Sequence, residues 1–289
     1  RRMAESASYF AQTVHRLLKF DPGKGGFTMN EQSPLTCDFL IMDEASMLDL
    51  RLAAALVRSI PPQAHLLLVG DADQLPSVGS GNVLKDLIDS KLLTVTRLEV
   101  TFRQAENSGI IGLAHGILGG KASPPPPLDH PSALNPSHDV HFVRANTPEE
   151  CVDHVTLLCR EILPRKFSID PKNDLQILAP LHRGIGGIGN LNDQLRDALN
   201  PNGATQVMGA MLFREGDKVI QTRNNYDKDV FNGDMGIIEA VDTLSGKVDI
   251  DFEGKKVSYQ RMEITDLQPA YAISVHKSQG SEYPVVIFP

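Results

Sequence analysis

Two runs with almost no polar residue, DFLIMDE and AHLLLVGD, restrict most strongly how this chain can fold. Each reads as a short strand buried on both faces, bounded by charge and turn residues. Each is followed by helical spacing, MLDLRLAAALVRSI after the first and NVLKDLIDS after the second. Strands that alternate with helices predict a parallel sheet with helices packed on it. KLLTVTRLEV is expected to return to that sheet. A second α/β series follows in VHFVRA, PEECVDHVTLLCREIL, DLQILAP and IGNLNDQLRDALNP. Between the two lies GGKASPPPPLDHPSALNPSHD, whose clustered prolines predict a surface loop between two lobes. From GDKVIQ onward the runs shorten, with turns at Asn232-Gly233, Ser245-Gly246 and Glu253-Gly254. That spacing predicts a small β-barrel. AISVHKSQGSEYPVVIF then returns to α/β style, which makes the barrel an insertion in the second lobe.

The chain has 289 residues, room for one large domain or two medium ones. Its net charge of −8 requires any nucleic-acid site to be a local basic groove on an acidic body. Cys37, Cys151 and Cys159 show no metal-ligand spacing, and an odd number argues against a disulfide framework. A reducing, cytoplasmic setting is expected, and no stretch is long and apolar enough for a membrane span. The chain opens at Arg1 and stops inside the strand-like EYPVVIFP, so it is expected to be a piece of a longer protein.

Functional groups of a parallel sheet collect beyond the C-terminal ends of its strands. Asp43 and Glu44 fall there, directly after FLIM. One carboxylate there can hold Mg²⁺ and the other can orient an attacking water as general base. The plain alternative is a solvated helix N-terminus, where the dipole favours acidic residues. LLLVGDADQLPSVGSG places a second polar cluster after the second strand. Gln74 is set to contact a terminal phosphate or the water, and Gly70, Gly79 and Gly81 permit close backbone turns. No G-x-x-x-x-G-K-[ST] phosphate loop occurs in the chain.

IMDEASM, GDADQLPSVGSGNVLKDLI, VTFRQAENSGII, PLHRGIGGIGNLNDQL, FNGDMGII and SVHKSQGSEYPVVI occur in that order. Together they resemble the helicase motifs of the RecD family of superfamily-one DNA helicases, over nearly the whole chain. The resemblance implies two RecA-like parallel-sheet lobes of P-loop NTPase type, with ATP between them and single-stranded DNA across their top. It implies a first lobe over 1–97 carrying a strand-splitting pin at 20–36. A second lobe covers 98–229 and 268–289, around an SH3-like barrel at 230–267. Asp43 would hold Mg²⁺, Glu44 activate water, Gln74 sense the γ-phosphate and Arg103 reach it like an arginine finger. Gly280 and Glu282 would meet the nucleotide, Glu282 at its ribose, while His276, Lys277 and Ser278 couple DNA to the ATP site. DNA contacts are implied for Arg1, Arg2, Thr13, His15, Arg16, His182, Arg183, Arg223 and Asn224, each weighed against an ordinary solvated side chain.

By the same resemblance, the phosphate-binding loop would precede Arg1 and the last motif would follow Pro289. The chain alone is then expected to hydrolyse ATP poorly. Translocation 5′ to 3′, duplex ends or forks as substrates, other helicase–nuclease subunits as partners and a nucleoid setting are also implied. A non-catalytic DNA-binding or scaffold subunit is the competing class, against which the intact Asp43, Glu44, Gln74, Arg103 and Glu282 argue. No carboxylate cluster has nuclease-like spacing.

Overall fold

The computed structural model describes residues 11–21, 23, 25–98, 108–208 and 211–289. The chain divides into two compact units, Arg1–Val100 and Thr101–Pro289.

In the first unit, α1 (Val14–Leu17) is one turn whose N-cap Thr13 accepts a hydrogen bond from the Arg16 N–H at 3.4 Å. β1 (Phe20–Asp21) and β2 (Gly26–Phe27) form an antiparallel hairpin. The rings of His15, Phe20 and Phe27 meet at 5.3–5.8 Å between centroids and brace it. β3 (Phe39–Met42) leads through a 3₁₀ turn into α2 (Leu50–Ser59), started by Asp49, which accepts from Leu52 N–H at 2.8 Å. β4 (His65–Leu68) pairs parallel with β3, and α3 (Val83–Asp89) follows. Leu18, Leu35, Leu48, Ala53 and Leu56 make the core beneath one face.

Two expectations change here. Neither strand is buried on both faces: Phe39 and Ile41 are 55% and 54% exposed, because the described helices cover only one side. Residues 91–98 form no strand, and Leu92 and Leu98 stand in solvent. That run pairs with no strand among the described residues, and residues 99–100 lie outside them.

The second unit opens with α4 (Gly109–Leu118). Asp139 holds its first turn, accepting from Ser108 Oγ at 2.7 Å and Gly109 N–H at 3.1 Å. The proline-rich segment lies inside this unit and does not link the two units. Its β5 (Pro127–Leu128) pairs parallel with β6 (Phe142–Val143), and its Leu134 is buried in the unit's core. α5 (Pro148–Leu157) begins with a variant of the capping box. Thr147 Oγ accepts from Glu150 N–H, and the Glu150 carboxylate reaches back to Asn146 N–H. It continues through a π turn, Leu158–Ile162, into α6 (Leu163–Phe167).

β7 (Leu175–Ala179), α7 (Ile188–Leu199) and the hairpin β8 (Thr205–Met208) with β9 (Met211–Arg214) follow. Next come β10 (Lys218–Gln221), β11 (Met235–Asp242), β12 (Lys247–Phe252), β13 (Lys255–Tyr259) and β14 (Leu267–Pro269). They form an antiparallel sheet in the order β13-β12-β11-β10-β14. Its two outer strands share one core, through Tyr259 and Leu267, and Tyr259 OH donates to Gln221 Oε1 at 2.8 Å. The sheet is therefore curled and barrel-like. It draws on strands to both sides of the 230–267 span read from the sequence. β15 (Ala272–Ser274) and β16 (Val285–Ile287) flank β7 in a three-stranded parallel sheet.

A polar seam closes the joint between the curled sheet and the parallel one. Buried Asp217 accepts from Asn200 Nδ2 at 2.8 Å, Tyr271 OH at 3.0 Å and Arg214 N–H at 2.7 Å. Asn192 pairs with both backbone groups of Ala272, at 2.8 and 3.0 Å. Burial holds the Asp217 carboxyl above its ordinary range.

Candidate functional site

Because β3 and β4 are parallel with Met42 opposite Leu68, both strands end at one edge of the sheet. Backbone hydrogen bonds knit those ends: Val69 N–H donates to Met42 O at 2.8 Å and Ala45 N–H to Val69 O at 2.9 Å. Asp43 and Glu44 leave the first strand there, and both are exposed. Glu44 sits at φ 53°, ψ 42°, a left-handed conformation costing a residue with a Cβ about 1–2 kcal/mol. Such strain concentrates at functional positions. Its own N–H is tied to Asp43 Oδ1 at 2.9 Å.

Gly70 lets the second strand end approach that turn. A Cβ there would lie 2.9 Å from Ala45 N and 3.1 Å from Ser46 N. Asp71 accepts from Asp73 N–H at 2.9 Å, and its carbonyl accepts from Gln74 N–H at 3.3 Å. Gln74 is thereby held in a turn on the same edge, exposed like the two carboxylates. Sequence reasoning passed over Ser46, whose buried Oγ has no partner among the described residues. The motif in which it sits was the only signal for it. No group of three or more metal-ligating side chains occurs among the described residues. Mg²⁺ does not require one, since it takes one or two carboxylates and completes its shell with water and phosphate. Asp43, exposed at the strand end, suits that mode.

The second unit assembles another group. β7 and β15 are parallel with Ala179 opposite Ser274, so their following loops leave from the same side. His182 and Arg183 follow β7 on exposed loop, before α7. The 3₁₀ turn Val275–Ser278 follows β15, placing His276, Lys277 and Ser278 at the same sheet end. Ser278 Oγ closes its own turn on Val275 O at 2.7 Å. Lys277 Nζ donates to Gln268 Oε1 at 3.0 Å, and burial lowers its pKa. Gly280 takes φ 79°, and Glu282 is exposed.

Arg223 and Asn224 follow a strand of the curled sheet. Arg223 is mostly solvated and 3.8 Å from Asp266, while Asn224 Oδ1 accepts from Asn232 N–H at 2.9 Å. In the first unit Thr13 caps a helix and His15 packs on the hairpin, while Arg16 is exposed. Arg1, Arg2 and Arg103 lie outside the described residues.

Comparison with known proteins shows what the chain is similar to. Residues 1–80 match an AAA domain model, 191–252 the SH3 domain of ATP-dependent RecD-like DNA helicases, and 269–289 a UvrD-like helicase C-terminal domain. An ATP-dependent RecD2 DNA helicase from Deinococcus radiodurans is 34% identical over 287 residues, covering 99% of this chain and 37% of the relative. The RecBCD enzyme subunit RecD of Mycolicibacterium smegmatis is 28% identical, covering 94% of this chain and 48% of the relative. The chain thus spans between about a third and a half of the length of these relatives. Among solved structures, a Pif1 helicase from Bacteroides in complex with ADP-AlF3 and ssDNA superposes with a TM-score of 0.54 at 17% identity, over 96% of this chain and 72% of the other. Pif1 helicases at a forked dsDNA give 0.52 at 18%, over 98% and 68%. These structures share the fold, two RecA-like α/β lobes. With six ordered motifs and a 34% identical relative matched over 99% of this chain, the chain is similar along nearly its whole length to RecD-like DNA helicases.

Proposed function

We propose that this chain supplies the ATP-hydrolysing and strand-gripping parts of a helicase that moves 5′ to 3′ on single-stranded DNA in recombination and repair. The observation that carries the proposal is the Asp43-Glu44 pair, set beyond the ends of two parallel strands with Glu44 in a strained left-handed conformation. Asp43 would hold Mg²⁺, which when bound neutralises charge on the β- and γ-phosphates. Glu44 accepts the proton of the water that attacks the γ-phosphorus, and ADP leaves with the broken P–O electron pair. Gln74 orients that water or reads the γ-phosphate. Arg103, Gly280 and Glu282 are the nucleotide contacts proposed for the second unit.

On the second unit, His182, Arg183, His276, Lys277 and Ser278 suit a DNA track, because basic groups and turns gather at one sheet end. Arg223 and Asn224 would add to it from the curled sheet. Arg1, Arg2, Thr13, His15 and Arg16 are the DNA contacts proposed for the first unit, with the 20–36 hairpin splitting the duplex. The substrates proposed are single strands presented at duplex ends or forks, in the cytoplasm with the nucleoid. The RecBCD subunits among the relatives support further helicase–nuclease subunits as partners.

The test is ATP hydrolysis by the full-length protein, with and without single-stranded DNA, beside Glu44→Gln. The expected result is DNA-stimulated hydrolysis that the substitution lowers by about a hundredfold or more. Hydrolysis that is absent, or indifferent to both DNA and Glu44, would leave a non-catalytic binding or scaffold subunit instead.

A further inference from the structure

Four structural facts converge on the turn that carries His276, Lys277, Ser278, Gly280 and Glu282. First, the chain leaves the curled sheet at Pro269 and enters the parallel sheet at Ala272, with only Ala270 and Tyr271 between. Both are buried, and Ala270 shares a small core with Ile220 and Ile273, one residue from each sheet. Second, Lys277 Nζ donates back to Gln268 Oε1 at 3.0 Å, so the middle of the turn is tied to β14. Third, the far end of the turn is tied as well. Half-buried Tyr283 lies under the Lys218 ammonium, 5.9 Å from Nζ to ring centroid, and its hydroxyl lies 4.0 Å from Met235 Sδ. Fourth, Lys218 is anchored at both its ammonium and its backbone. Its Nζ donates to Leu175 O at 3.1 Å, and its carbonyl accepts from Ala270 N–H at 2.8 Å.

We infer that Gln268, Lys218 and Tyr283 are positioning residues, which make the curled sheet the seat of the 275–283 turn and so fix where its DNA- and nucleotide-facing groups stand. The inference rests on the proposed function and adds to it a role for the inserted sheet. The sheet would be the fixed bed on which the turn lies, holding it at both ends. The chemistry suits the task. A cation over a ring and an amide-to-ammonium bond are directional, while the apolar patch of Ile220, Ala270 and Ile273 excludes water from the joint. Burial brings the Lys218 ammonium down to about 8, which agrees with a side chain enclosed by the joint.

The experiment uses the full-length protein with Tyr283→Leu, Gln268→Ala and, as the conservative control, Tyr283→Phe, which keeps the ring. Amide hydrogen exchange reads the joint without needing any activity. In Tyr283→Leu the amides of Gln279 and Ser281, which close the turn on His276 O and Ser278 O, should exchange about tenfold faster. Those of Val219 and Ile220 in the sheet should keep their protection, and Tyr283→Phe should match the wild type. Steady-state kinetics reads the consequence. KM for ATP and Kd for single-stranded DNA should rise about three- to tenfold in Tyr283→Leu and Gln268→Ala, with kcat at saturation little changed. Unchanged exchange in the turn overturns the inference. So does faster exchange in the turn with unchanged KM and Kd. A wild type that neither binds nor hydrolyses ATP would defeat the proposed function, and the exchange measurement would still judge the joint.

Discussion

Glu44 carries a conflict between folding and chemistry in a single residue. Its side chain is the proposed base, yet its backbone occupies a region that disfavours any residue with a Cβ. Asn tolerates that conformation far better. Glu44→Asn is therefore expected to melt at the same temperature as the wild type or higher, with a gain of up to about 1 kcal/mol, while hydrolysis is lost. A lower melting temperature would show that the Glu44 side chain stabilises the turn more than its backbone strains it. Gly70 makes the opposite case. Two of the three atoms nearest a new Cβ are backbone nitrogens, which cannot rotate away; the third is Leu84 Cδ2. Gly70→Ala should cost about 1–3 kcal/mol and lower the urea midpoint. Because the displaced atoms belong to Ala45 and Ser46, it should also impair hydrolysis. The polar cluster was legible in the sequence because two apolar runs both end in acidic residues. Thr13 and His15 were not legible in the same way. Thr13 is spent on capping its own helix turn, and the His15 ring contacts depend on a neighbouring hairpin that the spacing of one segment cannot reveal.

At the scale of elements, the strands β3, β4, β7 and α7 could be read because each shows its own period or apolar run. The run GDKVIQ reads as a short strand, but its place in the curled sheet and its full burial, Lys218–Gln221, could not be read. It is buried along its whole length although both ends are polar. Its ammonium is satisfied by Leu175 O and its amide by the Tyr259 hydroxyl and Arg223 O. Leu175 and Tyr259, 43 and 38 positions away, leave no local trace. The same holds for Asn192, an amide inside α7 that serves both backbone groups of Ala272. Asn192→Ala leaves a buried N–H and C=O unpaired at about 1–3 kcal/mol each. The urea midpoint should fall accordingly with the m-value unchanged, and a fall of a few tenths of a kcal/mol would mean that water reaches the strand.

At the scale of the whole molecule, two measurements separate electrostatic effects. Lys218 has a folded pKa of about 8 against 10.5 for a free lysine, because burial outweighs the pull of Asp170. The folded state then binds fewer protons than the unfolded one between those values, and this group makes stability rise with pH there. Cys159, buried and pushed up to about 12 from 9.0, acts in the opposite sense above pH 9. Stability should therefore climb between about pH 8 and 9 and flatten beyond. Urea unfolding of Lys218→Met should show a smaller climb, since Lys277, also lowered by burial, acts in the same sense, and an undiminished climb in the variant would acquit the lysine. DNA binding by a chain of net charge −8 must rely on local basic groups. Removing one cation that neutralises a phosphate should reduce the slope of log K against log salt by about 0.7 on a single strand. Arg183→Ala is expected to show that change, and an unaltered slope would remove Arg183 from the track.

The short passage from Pro269 to Ala272 also bears on how the chain is made. β7 has its parallel partners in β15 and β16, and Gln176 is bonded to Tyr271, 95 positions further along. During synthesis β7 emerges long before either partner, and the curled sheet is translated in between. That sheet holds its own core and its own hairpins, so it can form first and carry β15 into register beside β7. The late event in folding is then the closure of the parallel sheet, a pairing of long sequence separation and hence a slow one. Until it closes, the apolar β7 is exposed, and this strand is where a nascent chain is most open to aggregation.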